Sequence, residues 1–178
     1  RYPVGVPDQT PLYAFLDLIK SNELTAEDID QVEVSVSQSA FHTVKTNRHP
    51  SVHMETILTL AAVFGEITFN HIHDPSYLQD PRCRAFQERA RIMIIPRAGP
   101  GTQGQRLEMG ITVRTGNGEV LQQNLRYPLM SEDEIQEKFR TLVGLRVSAD
   151  RAMDLERKLL AVEQEENVGP LFQQLEID

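Results

Sequence analysis

Apolar and polar positions follow two clear periods along this chain, and one stretch has hardly any polar position at all. Leu12, Phe15, Leu16 and Ile19 recur at helical spacing and predict a helix over about 11–21. Ahead of it, Tyr2–Pro11 holds three prolines and Gly5 and reads as an extended lead-in. In "TAEDIDQVEVSVSQ", Val32, Val34 and Val36 alternate with Glu33, Ser35 and Ser37, the period of a half-buried strand. Gln38–Ser51 is polar and reads as irregular. Then Met54, Ile57, Leu58, Ala61 and Phe64 fill one helical face while Leu60 and Val63 fill the other. A helix apolar nearly all round belongs deep in a core. Ser51 is its predicted N-cap and Gly65 its stop.

Downstream, "SYLQDPRCRAFQERA" predicts a turn and a short helix, and "RIMIIP", apolar on both faces, a central strand. "RLEMGITVRTGNGEVLQQNLRYP" predicts a hairpin. A three-residue loop of Gly116, Asn117 and Gly118 sets Val113 opposite Leu121, Met109 opposite Leu125 and Leu107 opposite Tyr127. A two-residue Asn117-Gly118 turn would set Val113 against Gln122, so the first register, which gathers the apolar residues on one face, is preferred. Ser131 and Glu134 form a capping box for a helix carrying Ile135, Phe139, Leu142 and Val143. Ser148 starts another with Ala152, Leu155, Leu159 and Val162 inward, and a short last helix carries Leu171, Phe172 and Leu175. The predicted class is α+β: an antiparallel sheet of about four strands with helices mainly on one face. Residues 1–130 form that domain, and 131–178 a helical C-terminal segment.

Charge changes the picture in one respect. The net charge is −8 over 178 residues, which argues against nucleic acid and anionic membranes as partners. From Ser131 onward there are twelve Asp/Glu against six Lys/Arg; before it, fourteen against twelve. The acidic tail reads as a solvated helical face, and the near-balanced front part leaves an anionic small molecule open. A single cysteine, Cys83, excludes an intrachain disulfide and fits a reducing compartment. No apolar run reaches spanning length and no signal-peptide pattern opens the chain, so a cytoplasmic location is expected. The first residue is Arg1 rather than Met, which leaves two readings open, a fragment of a longer protein or a free-standing domain.

Four of the five histidines lie between His49 and His73. On a strand, His71 and His73 would point the same way toward one metal ion, with Asp74 nearby. No third ligand stands at a recognisable spacing, and the stronger reading is a polar strand–loop junction with Asp74-Pro75 opening a turn. His49 and His53 flank the predicted start of the apolar helix. Helix N-termini present unpaired N–H groups, so this end reads either as a carboxylate-binding corner or as ordinary capping with exposed histidines. Nucleophile elbows, phosphate loops and nucleotide fingerprints are missing; "GPGTQG" precedes a strand and reads as a loop.

Several segments, in their order, resemble the C-terminal domain of the MmgE/PrpD family, which includes 2-methylcitrate dehydratase, cis-aconitate decarboxylase and iminodisuccinate epimerase. "RYPVGVPDQ" is similar to its "K-x-YP" stretch and "LTAEDIDQVEVSV" to its "dI-x-x-V-x-V" strand. "ETILTLAAVFGEITFNHIHDPSYLQDPRCRAFQERARIMI" resembles its buried "A-x-x-L-x-DG" helix with the turn, "DP" and strand that follow, and "SEDEIQEKFRTL" its "E-x-x-x-KF" helix. The resemblance spans nearly the whole chain. It implies a lid domain closing over a site built mainly by a separate, all-helical domain that this chain lacks. The implied substrates are di- or tricarboxylic acids. The implied chemistry is proton abstraction beside a carboxylate, leading to dehydration, decarboxylation or epimerisation, with no cofactor and no metal. The parent protein is then a lyase or isomerase, this chain alone lacks turnover, and a homodimer is open. The family lysine would stand just ahead of Tyr2; Thr56 stands where many members have Tyr, and Phe64-Gly65 where they have "DG". Arg1, Tyr2, His49, Ser51, His53 and Thr56 are the substrate-binding candidates, and the catalytic residues are not assigned. On this reading the start of the apolar helix faces the substrate cleft, with His71 and His73 in the packing behind it. The alternative is a stand-alone, non-catalytic module binding a metabolite or a protein.

Overall fold

The structure, a computed structural model, describes residues 1–97, 110–125, 129–164 and 166–169. It divides into two compact units, one of residues 2–128 and one of 129–178 together with Arg1. The larger unit contains α1 (Val6–Ser21), β1 (Ile29–Ser37), α2 (Gln38–Thr46), α3 (Met54–Phe64), α4 (Phe69–His73), α5 (Pro75–Leu78), α6 (Pro81–Arg89), β2 (Arg91–Arg97), β3 (Gly110–Thr115) and β4 (Val120–Asn124). The smaller holds α7 (Glu132–Val143) and α8 (Ala149–Leu160). The class is α+β.

The sheet runs β2-β1-β3-β4. β1/β3 and β3/β4 are antiparallel, but β1 pairs with β2 in parallel, Val32 beside Ile92 and Val34 beside Ile94. The sheet is therefore mixed rather than all antiparallel, because the chain between β1 and β2 passes through five helices and returns to the starting end. "RIMIIP" is an edge strand of this sheet, not a central one. An edge tolerates Pro96, which has no N–H to donate, and α2 packs against the strand. The hairpin takes the three-residue loop: Val113 faces Leu121, and the Thr115 amide donates to Glu119 O at 3.1 Å. Met109, Leu107 and Tyr127 lie outside the described residues, as do the "GPGTQG" loop and the C-terminal helix expected at 171–175.

Val32, Val34, Ile111 and Val113 form the inner face of the sheet, all nearly fully buried. α1 and α2 lie against the strands, and α3 packs on α1 and α6. That double covering matches a helix apolar nearly all round: Met54, Ile57, Leu58, Leu60 and Ala61 are each 0 % exposed. Gly65 ends α3 in the left-handed region, φ 69°, its amide donating to Ala61 O.

Three local expectations shift. α1 starts at Val6, with Pro7 in its first turn, where a fixed φ suits the helix, and Pro11 inside it; the lead-in is correspondingly short. Gln38–Thr46 is a helix, capped by Ser37 Oγ accepting from the Ala40 amide and holding only Val44 fully in the core. In the smaller unit the Ser131–Glu134 capping box forms as expected, and Ser148 caps α8. Ala152 and Leu155 are buried, but Leu159 and Val162 are exposed, as are Ile135 and Leu142 of α7.

Candidate functional site

Because α3 is held from both sides, its start is fixed in space. The helix begins at Met54, with His53 in the cap position and no side-chain cap bond. Ser51 does not cap it. Pro50 opens a separate 3-10 turn over Pro50–Val52, and His53 is extended (φ −95°, ψ 102°), which breaks the chain before α3. Ser51 serves His49 instead: its Oγ lies 2.7 Å from His49 Nδ1, and its amide donates to the same atom at 3.3 Å. The His49 amide donates to Asn47 Oδ1 at 2.9 Å.

These bonds set the tautomer. An Nδ1 that accepts from an amide carries no proton, so the neutral His49 ring holds its proton on Nε2 and presents a donor from an exposed position. His53 Nδ1 lies 2.8 Å from Thr56 Oγ1, so the residue before α3 is tied to its first turn. The first amide of α3 to find a carbonyl is Ile57's, bonded to His53 O; helix geometry leaves the earlier ones without an intrahelical partner. Glu55, in the same turn, is neutralised by an ion pair with Lys45 of α2.

His71 and His73 lie on α4, not on a strand or a strand–loop junction. Two residues apart on a helix, their rings diverge. His71 is buried, stacked on Phe64 at 4.7 Å, and its Nδ1 accepts from the Thr68 amide. His73 is exposed, stacked on Phe69, and its ring lies 6.3 Å from that of His49, so it joins the corner rather than the packing behind it. Among the described residues, no three His, Cys, Asp or Glu side chains come together as a metal site.

Tyr2 packs against the core edge, its backbone gripped by Gln9, which also bonds Val4 O. Arg1, within the smaller unit, pairs with Glu134. His49 and Ser51 thus form one bonded pair, with the His73 ring beside it, and His53 and Thr56 a second at the start of α3.

Beneath the cluster lies a residue the sequence did not flag. Asp8 is 0 % exposed, neither carboxyl oxygen has a hydrogen-bond partner, and burial pushes its pKa up to about 7. It stands at the head of the stripe Asp8, Leu12, Phe15, Ile19, a signal visible only once α1 is extended to Val6. The Gly5 amide donates to Ser51 O at 2.7 Å, tying the start of α1 to the histidine turn. At the opposite end of α3 is an open cleft of about 650 Å³ lined by Thr25, Phe64, Arg82 and Arg89 among others. Its guanidinium groups are already engaged: Arg82 on Asp80 and over Phe64, Arg89 on the carbonyls of Ala26 and Glu27.

A mixed four-stranded sheet backed by helices, with a largely buried helix whose start carries polar side chains and no side-chain cap bond, defines an α+β domain with a donor-rich corner. The family model of the MmgE/PrpD C-terminal domain matches residues 2–163, and the chain belongs to that family. No curated protein matches the chain. Among the described residues, no helix is long and apolar enough to cross a membrane.

Proposed function

We propose that this domain is the lid of an enzyme acting on di- or tricarboxylic acids, and that the corner at the start of α3 holds a substrate carboxylate. Family membership carries the reading. The geometry supports it. The corner offers donors: the Nε2–H of His49, the bonded His53–Thr56 pair, and the first amides of a helix whose end carries partial positive charge; the Ser51 hydroxyl is spent on His49 Nδ1 and holds that ring in place. Proton abstraction beside the bound carboxylate, with loss of water, loss of carbon dioxide or inversion, is the reaction class, and the residues that abstract the proton come from a helical domain of the same protein. The smaller unit supports a further packing partner of that kind, since no residue of α7 is buried and Ile135 is 55 % exposed.

The test is a backbone NMR titration of the chain with citrate and succinate, with acetate as control. Shifts confined to His49 and to the Met54, Glu55 and Thr56 amides, about tenfold weaker binding in His53→Ala/Thr56→Ala, and little response to acetate are expected. Shifts centred on Arg82 and Arg89 would place the anion in the other cleft and overturn the assignment.

A further inference from the structure

We infer that Asp8, Gly5 and the Pro50–Val52 turn form a proton-controlled latch on the histidine corner: with Asp8 neutral the turn is closed on the start of α1, and ionisation of Asp8 lifts it. A buried carboxyl with two unpartnered oxygens is unusual in a folded chain and asks for a physical account. The neutral acid tolerates this dry position; the carboxylate does not.

The closed state is tight. A Cβ built on Gly5 would meet Asp8 Oδ2 at 3.1 Å, Val52 Cγ2 at 3.3 Å and Ser51 O at 3.5 Å, so a methyl group here would push the Asp8 and Val52 side chains back by a few tenths of an ångström. One backbone bond, Gly5 N–H to Ser51 O, holds the two segments together at this point. Once that bond opens, water reaches a carboxylate in the first turn of α1, where the helix end favours negative charge. The closed state thus favours the acid and the open state the anion, which is the requirement for a proton switch.

Other titratable groups do not take this role. On the elements packed against the start of α1, His49 is tied to Ser51, His53 to Thr56 and Glu55 to Lys45. Along α1 itself, Tyr13, Asp17 and Lys20 follow, with Asp17 accepting from Gln123. Burial alone accounts for the raised pKa of Asp8, with no charged neighbour contributing. Because Ser51 carries the bonds that orient His49, lifting the turn carries that ring away from the start of α1. The latch is independent of the substrate reading, since it is read on the ligand-free chain.

The experiment follows exchange of the Gly5 amide by NMR from pH 5.5 to 8.5, corrected for intrinsic base catalysis, in the wild-type chain and in Asp8→Asn. A fall in wild-type protection of at least about tenfold over this range is expected, with flat protection in Asp8→Asn. The Asp8 carboxyl ¹³C shift, titrated in the wild type alone, must have its midpoint where protection falls, which keeps the test decisive should the variant fold poorly. Constant Gly5 protection, the same fall in Asp8→Asn, or a carboxyl midpoint in the ordinary aspartate range would each overturn the latch.

Discussion

Replacing Asp8 by Asn turns the buried carboxyl into a stability measurement. The amide keeps the shape and stays neutral, so the two proteins differ mainly in one ionisation. Asp8 carries its proton to about 7 in the folded chain, against a reference value of 3.8. A raised folded pKa means the folded state holds its proton longer than the unfolded chain does. Below about pH 4 both states are protonated and nothing is lost. As pH rises from there the unfolded chain releases its proton while the folded one keeps it, so wild-type stability falls, and it levels off above about pH 7. The shift is about three units, and each unit is worth about 1.4 kcal/mol, so the full loss approaches about 4 kcal/mol. Opening of the latch caps that figure, because the folded state then escapes by exposing the carboxylate.

The assay is urea unfolding of both proteins at half-unit steps from pH 4.5 to 8.5. Subtracting the two curves cancels the histidines and the surface carboxylates. The variant should gain on the wild type steadily through pH 5–7 and hold its lead above. A difference that stays within about 1 kcal/mol and shows no trend with pH would mean that Asp8 is hydrated in the folded state, and the argument from burial would fail.

Three further outcomes follow from single contacts. Gly65→Ala meets no atom within 4 Å but must hold φ 69°, so it should cost about 1 kcal/mol, seen as a lower Tm. Ser51→Ala should leave α3 as stable as before, since Ser51 does not cap it, while raising the exchange rate of the His49 region; a drop of about 1 kcal/mol would restore the capping role. Arg140→Leu strips the partner from Glu156, which is 8 % exposed and bonded to it at 3.2 Å, so the α7–α8 pair should lose about 1–3 kcal/mol in urea unfolding, with Glu156→Gln recovering part of the loss in the double variant.

The elements that could be read from the sequence are those whose burial is written as a local period. β1 alternates in sequence, α3 is apolar nearly all round beyond its first turn, and the hairpin register follows from gathering its apolar residues on one face. Ser131 and Glu134 form a cap that needs no distant partner. What could not be read depends on partners far along the chain. α2 has only Ala40, Phe41 and Val44 facing the core, too few to stand out from a polar stretch, and its position beside β2 is settled by the sheet. α4 is little more than one turn, fixed by a Thr68–His71 capping box and too short for apolar positions to repeat at helical spacing, so "HIH" read as a strand–loop junction. The parallel pairing of β1 with β2 is decided by five intervening helices, not by either strand.

The same distinction governs the corner. Its residue types were legible as donors near a helix start, but the bonds that define it join separate segments: Gly5 to Ser51, and His73 beside His49. α3 itself has no freedom to adapt, being packed between α1 and α6, so whatever adjustment the corner makes must come from the stretch 47–53. That stretch is held by a handful of hydrogen bonds rather than by core packing: Asn47 to His49, His49 to Ser51, and Ser51 to Gly5. Each contributes about 1 kcal/mol, comparable to what a bound carboxylate or one displaced proton supplies. Substitutions inside α3 should therefore act on stability, and substitutions in 47–53 or at Asp8 on the geometry of the corner. A variant such as Leu58→Ala that unfolds the chain without moving the His49 ring beforehand would fit this division; one that shifts His49 at full stability would contradict it.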